Sequence, residues 1–281
     1  MNSMKLKEKI RKIAKEKNVD FNSVLRLYMY DRFIERLSLS RYRDNFIIKG
    51  GFYLSSFFGI ENRTTMDIDT SVKNINFNKE NIIKIINEII TLDIFDNVKI
   101  EILNVEDIRQ EDEYGGYRFN MIVKLENIRE KFQIDVATGD PITPSEIIYN
   151  YKPLVGEKSL KIWSYNLETV LAEKIQTILA RVEVNGRLRD FYDIHLIFSI
   201  YKNKLNIENL KNAIKNTFKK REFECDFYYV LNLIENSLEL KNRWKAYQRK
   251  YDYAKNIEFN IIINEIKELL SLCDLYELQA I

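Results

Sequence analysis

Hydrophobic positions recur along the chain with two different periods, and the switches between them mark its elements. Near the N-terminus Leu6, Ile10, Ile13 and Ala14 fall at helical spacing with lysines between them, predicting a helix over residues 4–17. A second helix is predicted from Asp20, its N-cap, to about Leu37. Phe46, Ile47, Ile48 and Lys49 read as a buried strand running into Gly50-Gly51. Residues 52–58 then form a short helix, which Gly59 is placed to end in a left-handed conformation. The period changes to two where Met66, Ile68 and Thr70 alternate with Asp67, Asp69 and Ser71, as in a strand.

Ile82, Ile85, Ile86, Ile89 and Ile90 return to helical spacing, so residues 79–91 should form a helix covering a sheet. Three strands are predicted next, over residues 98–105, 117–125 and 131–137, with Gly115-Gly116 in the turn joining the first two. In the third, Phe132, Ile134 and Val136 point one way, and Gln133, Asp135 and Ala137 the other. Asp135 therefore lies on a polar strand face, as Asp67 and Asp69 do. Thr138-Gly139-Asp140-Pro141 ends the sheet, and Pro144 and Pro153 mark a looser segment to about Leu160. From Asn166 onward the pattern is helical. A helix over residues 167–182 should bury Leu171, Ile175, Ile178, Leu179 and Val182, with Lys174 and Arg181 turned toward the rest of the protein. Its partner covers residues 187–201.

The fold class predicted is α/β (α+β): a small mixed sheet flanked by helices and followed by a helical C-terminal domain. Residues 1–40 form a helical pair packed on the core, 41–155 the core itself, and 160–281 the helical domain. The hydrophobic fraction of 46% and charged fraction of 31% are those of a soluble globular protein. A net charge of +2 carries no strong signal for nucleic acid. Cys225 and Cys273 lie outside any CxxC spacing, which argues against a disulfide scaffold or a zinc site. No apolar run approaches membrane-span length and the N-terminus lacks a signal-peptide core, so a cytoplasmic protein without membrane contact is expected.

Two residues apart on a strand, Asp67 and Asp69 share a face with Cα atoms about 7 Å apart. Like charges held that close repel unless a cation sits between them. Glycines at the upstream turn leave backbone N–H groups bare for phosphate oxygens. With Asp135 and the cations Lys174 and Arg181, this set suits transfer of a nucleotide from a triphosphate. Such a reaction needs carboxylate-held cations at the α-phosphate and Lys or Arg at the leaving pyrophosphate. The one histidine, His195, lies among Ile194, Leu196 and Ile197 and reads as structural. Asp190 could favour a helix start, and Asp193 could pair with Lys174 or Arg181; either could also touch the chemistry.

The chain resembles the nucleotidyltransferase toxins of the AbiEii/AbiGii abortive-infection type, within the DNA polymerase β-like nucleotidyltransferase superfamily. The resemblance rests on an ordered set: Lys49-Gly50-Gly51; Arg63-Thr64-Thr65-Met66-Asp67-Ile68-Asp69; Ile134-Asp135-Val136 with Gly139-Asp140-Pro141; Leu171-Ala172-Glu173-Lys174; Arg181; and Arg189-Asp190-Phe191-Tyr192-Asp193. It implies that Asp67 and Asp69 are metal ligands, and that Gly50 and Gly51 meet the nucleotide phosphates, with Lys49, Arg63 and Arg181 among the nucleotide-binding residues. Asp135 is then the third carboxylate, a metal ligand or the base for the incoming hydroxyl. Lys174 becomes essential at the triphosphate, and Asp193 supports it. Gly51 stands where many members of the superfamily place Ser, so that phosphate contact would come from backbone.

The same resemblance implies Mg²⁺ or Mn²⁺ as cofactor, an NTP as substrate and an RNA acceptor, with the tRNA 3′ end foremost. It also implies growth arrest within a toxin–antitoxin or phage-defence pair, with a cognate antitoxin encoded by an adjacent gene. Two alternatives stand beside it: a nucleotide- or partner-binding module without turnover, and nucleotidyl transfer to a protein hydroxyl. Arg243-Trp244-Lys245-Ala246-Tyr247-Gln248-Arg249-Lys250-Tyr251 interleaves cations with aromatics. It reads either as a grip on unpaired RNA or as a helix with buried rings and solvated lysines.

Overall fold

The structure is a computed structural model describing residues 2–108, 115–156 and 158–276. It divides into two compact units. Met1–Gly139 with Glu146–Tyr165 forms the first, and Asp140–Ser145 with Asn166–Ile281 the second.

In the first unit, α1 (Ser3–Lys17) is capped by Asn2, whose side chain accepts from Lys5 N–H. The next helix, α2 (Phe21–Leu39), is capped as expected by Asp20, which accepts from Ser23 N–H. Then come β1 (Phe46–Lys49), α3 (Gly50–Phe58), β2 (Asp67–Val72) and α4 (Lys79–Ile90). The isoleucines predicted to cover a sheet are all buried on α4. Strands β3 (Lys99–Ile108), β4 (Gly116–Leu125) and β5 (Ile128–Ala137) form a meander. Residues 109–114, between the first two of these, lie outside the described residues; of the glycines expected in the turn, Gly115 precedes β4 and Gly116 is already its first residue.

Among the described residues the sheet has seven strands rather than five. Of two further strands, β6 (Ile147–Tyr151) stands where the prolines suggested a looser segment, and β7 (Leu160–Ser164) begins at that segment's end. The strand order is β3-β4-β5-β2-β1-β7-β6, with β2 parallel to β5 and β7 parallel to β1. Local pattern conceals β6 because it is an edge strand with Ile147 and Ile148 exposed, so no inward–outward alternation marks it. The core lies between one sheet face and the helices. Phe119, Met121, Phe132, Ile134 and Val136 line it, together with Tyr30, Phe33 and Phe52.

A carboxyl group sits inside that core. Asp31 of α2 is wholly buried, and it accepts a hydrogen bond from the Tyr151 hydroxyl and one from Leu154 N–H at 2.8 Å. Burial pushes its carboxyl from the usual 3.8 up to about 7, against the opposing pull of those bonds. An acid with a raised folded value keeps its proton in the native state after the unfolded chain has lost it. Between about pH 4 and 7 the native state therefore binds more protons, and stability falls as pH rises through that window. The slope is at most about 1.4 kcal/mol per pH unit. Urea unfolding at pH 5 and pH 7.5 should show this loss in the wild-type chain and a flat response in Asp31→Asn.

The second unit is helical: α5 (Leu167–Arg181), α6 (Leu188–Tyr201), α7 (Ile207–Lys220), α8 (Phe227–Asn236), α9 (Leu238–Lys250) and α10 (Phe259–Leu272). The first helix ends one residue earlier than its pattern suggested. Val182 takes φ 42° and is not among its buried residues. His195 lies within 2.9 Å of both Glu265 carboxylate oxygens, a structural pairing between α6 and α10. No helix among the described residues is long and apolar enough to cross a membrane.

Candidate active site

The sheet unit places a row of charge across four strands. Lys49 on β1 pairs in register with Asp69 on β2, Asp69 with Asp135 on β5, and Asp135 with Arg118 on β4. Register partners share a sheet face, so the four side chains form one line, cation at each end and carboxylates between. The neighbouring row runs Asp67, Gln133, Asn120. There Gln133 Nε2 donates to Asn120 Oδ1 at 2.8 Å, which keeps this part of the face polar and connected. Asp67 and Asp69 are half-buried on the same face of β2, as the alternation predicted.

The turn from β1 into α3 closes on these carboxylates. Gly50 has φ +65°, and any side chain there would overlap the Asp69 carboxylate. Only glycine offers both that backbone conformation and that clearance. A Cβ on Gly51 would come within 2.8 Å of Arg63 Nη2 and 2.9 Å of Thr65 Oγ1. Lys49 occupies the cap position of α3 and makes no side-chain cap bond there. The first N–H groups and dipole of the helix thus lie beside Asp69, where negative charge is favoured. Gly59 ends this helix with positive φ as expected, although its ψ of 145° is extended rather than left-handed helical.

Around this turn the cations are held in place. Lys49 is buried, with Nζ 3.3 Å from the Tyr165 hydroxyl and 5.1 Å from that ring's centre. Arg63 is also buried and donates to the Thr64 carbonyl. Thr65 Oγ1 donates to Asp67 Oδ1 at 3.1 Å and so orients it.

Asp135 has a partner that sequence reasoning missed. Arg118 Nε donates to Asp135 Oδ1 at 2.8 Å, and Arg118 Nη2 to Oδ2 at 2.7 Å. This two-pronged bond, with further attraction from Asp67 and Asp69, raises the guanidinium above its ordinary value. The signal was present, because Phe119, Met121 and Val123 point inward on β4 and leave Arg118 and Asn120 on the polar face. Among the described residues no group of three or more His, Cys, Asp or Glu side chains is gathered as a metal site. Both Asp135 oxygens receive an Arg118 donor, and each keeps a further lone pair. Asp67 and Asp69 by themselves offer hard oxygen donors of the type divalent Mg²⁺ and Mn²⁺ prefer.

The helical unit holds a second cluster. Lys174 on α5 is buried and donates to Asp190 Oδ1 at 2.8 Å and to Asp193 Oδ2 at 2.6 Å, both on α6. Arg187 Nε approaches Asp190 Oδ2 at 2.8 Å. Of the pairings open to Asp193, the structure selects Lys174. Arg181 departs from expectation: it is exposed in the last turn of α5, not turned inward. The residue pattern could not separate it from Lys174, because what holds Lys174 inside is the carboxylate pair on another helix. In the aromatic run Trp244 and Tyr247 are only 2% and 8% exposed, and Trp244 Nε1 donates to the Ile257 carbonyl. Those two rings belong to the core and cannot stack on bases; Arg243 pairs with Glu239 at the surface.

The fold is similar to that of JHP933 from Helicobacter pylori, at a TM-score of 0.52 and 13% identity over 92% of this chain and 95% of that one. A looser likeness, TM-score 0.38 and 18% identity over 72% of this chain and 93% of that one, is to an antigenic nucleotidyltransferase-like protein from Paracoccidioides brasiliensis. No curated protein matches the sequence. The profile of the family described as "Nucleotidyl transferase AbiEii toxin, Type IV TA system" matches residues 32–270. The chain is a nucleotidyltransferase. It belongs to the AbiEii family of type IV toxin–antitoxin systems, and membership implies an antitoxin counterpart.

Proposed function

We propose that this nucleotidyltransferase moves a nucleotide from an NTP to a hydroxyl of RNA in the cytoplasm, with the tRNA 3′ end as the acceptor, and so arrests growth in defence against phage. The observation that carries the proposal is the Asp67/Asp69 pair packed against the glycine-opened start of α3. Backbone N–H groups at Gly50 and Gly51 bind the triphosphate, with Lys49 and Arg63 supplying positive charge behind them. Asp67 and Asp69 would hold a divalent cation, Mg²⁺ or Mn²⁺. When bound, that ion neutralises charge developing on the α-phosphate. Asp135 serves as the third carboxylate, at the acceptor hydroxyl or the cation. Lys174 is assigned to the triphosphate on the strength of its place in the ordered motif. Asp193 orients its ammonium. Arg181, exposed at the end of α5, would meet phosphate as a surface cation.

Incubating the purified chain with Mg²⁺, labelled NTPs and total RNA tests this. Label should enter RNA in the tRNA size range, and EDTA should stop it. Label in protein instead of RNA would move the acceptor to a protein hydroxyl. NTP binding without label in any macromolecule would refute RNA transfer.

A further inference from the structure

The line Lys49, Asp69, Asp135, Arg118 places two carboxylates side by side on neighbouring strands, an arrangement that destabilises a sheet unless cations flank it. Arg118 meets that need at Asp135 with one N–H on each oxygen, 2.8 and 2.7 Å away. The guanidinium cannot lose its charge, and its planar fork matches a carboxylate edge. Both groups are also partly sheltered from water, at 35% and 15% side-chain exposure, so the pair is less screened than one at the open surface. Each Asp135 oxygen keeps a further lone pair, but a divalent ion drawing on it would have to sit near a fixed positive charge.

We propose that Arg118 is a positioning residue that acts as a built-in counter-cation: it withholds Asp135 from metal in the nucleotide-free protein, leaving Asp67 and Asp69 as the acidic pair that binds the ion. The proposal rests on the reading of Asp67 and Asp69 as metal ligands. Its functional consequence is a weak resting metal site, filled together with the triphosphate rather than before it. Arg118 is thereby a determinant of the order in which metal and nucleotide load.

The test is Mn²⁺ binding to the full chain without nucleotide, read from the paramagnetic resonance signal of free Mn²⁺. Asp67→Asn should weaken binding about tenfold or more, as expected for loss of a ligand. Asp135→Asn should change it by no more than about twofold. Arg118→Gln, which keeps a donor and removes the charge, should tighten binding about tenfold, and adding Asp135→Asn to it should restore the wild-type affinity. Arg118→Lys keeps the charge and should stay near wild type, whereas the tightening in Arg118→Gln is a result that a purely structural role would not produce. Thermal unfolding of each variant confirms that folded protein is compared. The proposal is overturned if Asp135→Asn weakens Mn²⁺ binding as Asp67→Asn does, or if Arg118→Gln and Arg118→Lys both leave it unchanged. Unchanged binding in Asp67→Asn would overturn the metal reading itself and this inference with it, a distinct result.

Discussion

Asp67→Asn should lower nucleotidyl transfer on the order of a thousandfold while leaving the chain at least as stable as wild type. Asp67 is half-buried at the first position of β2, and its register neighbour Gln133 is neutral. Asn has almost the same shape and retains an oxygen to accept from Thr65 Oγ1, so neither packing nor the local hydrogen bond need be lost. What disappears is a negative charge two residues from Asp69. Its removal relieves repulsion in the folded state and deprives a cation of a hard anionic ligand. Urea unfolding together with a labelled-NTP transfer assay measures both sides. Retained transfer would sink the assignment of Asp67 to the metal, and a large stability loss would mean that the side chain supports the fold.

Lys174→Met should behave in the opposite way, costing stability as well as activity. Its ammonium is bonded to two buried carboxylates, and Asp193 is wholly inaccessible. Methionine fills the volume but leaves Asp190 and Asp193 facing each other without that cation. Breaking a buried pair in this manner costs about 3–5 kcal/mol. Arg187 still reaches Asp190, so the loss should lie toward the lower end. The triple variant Lys174→Met, Asp190→Asn, Asp193→Asn removes the stranded charges and should recover much of the stability in chemical denaturation. Transfer activity should remain absent in it if the lysine acts on the triphosphate. Recovery of activity along with stability would assign Lys174 a structural role alone.

Much of the carboxylate cluster was legible because a strand's period is fixed by backbone geometry. Met66 to Ser71 must place Asp67 and Asp69 on one face wherever that strand lies, and Gln133 to Ala137 must do the same for Asp135. Helices α4 and α5 were legible for the corresponding reason, since apolar residues three and four apart form a stripe in any helix. The Asp20 cap is local chemistry as well, an oxygen and an N–H three residues apart. Order along the chain carried the family, because the glycine pair, the DxD and the later lysine follow one another however far apart they are in sequence.

The rest depended on which segments meet. No local pattern states that β7 lies parallel to β1, nor that Ile147–Tyr151 completes the sheet at its edge; both pairings are made between residues distant in sequence. Lys174 and Arg181 look alike on their helix, yet one is drawn inside by Asp190 and Asp193 and the other left in water, because among the described residues only Lys174 finds carboxylates opposite. The same holds for Arg118. Its polar-face position could be read from the alternation of β4, whereas its bond to Asp135 arises from the register of two antiparallel strands. Local backbone period decides which way a side chain points, and that much the sequence by itself determined. Which charge it meets there is a matter of register between strands and packing between helices, and long-range hydrophobic burial sets those only when the whole unit folds.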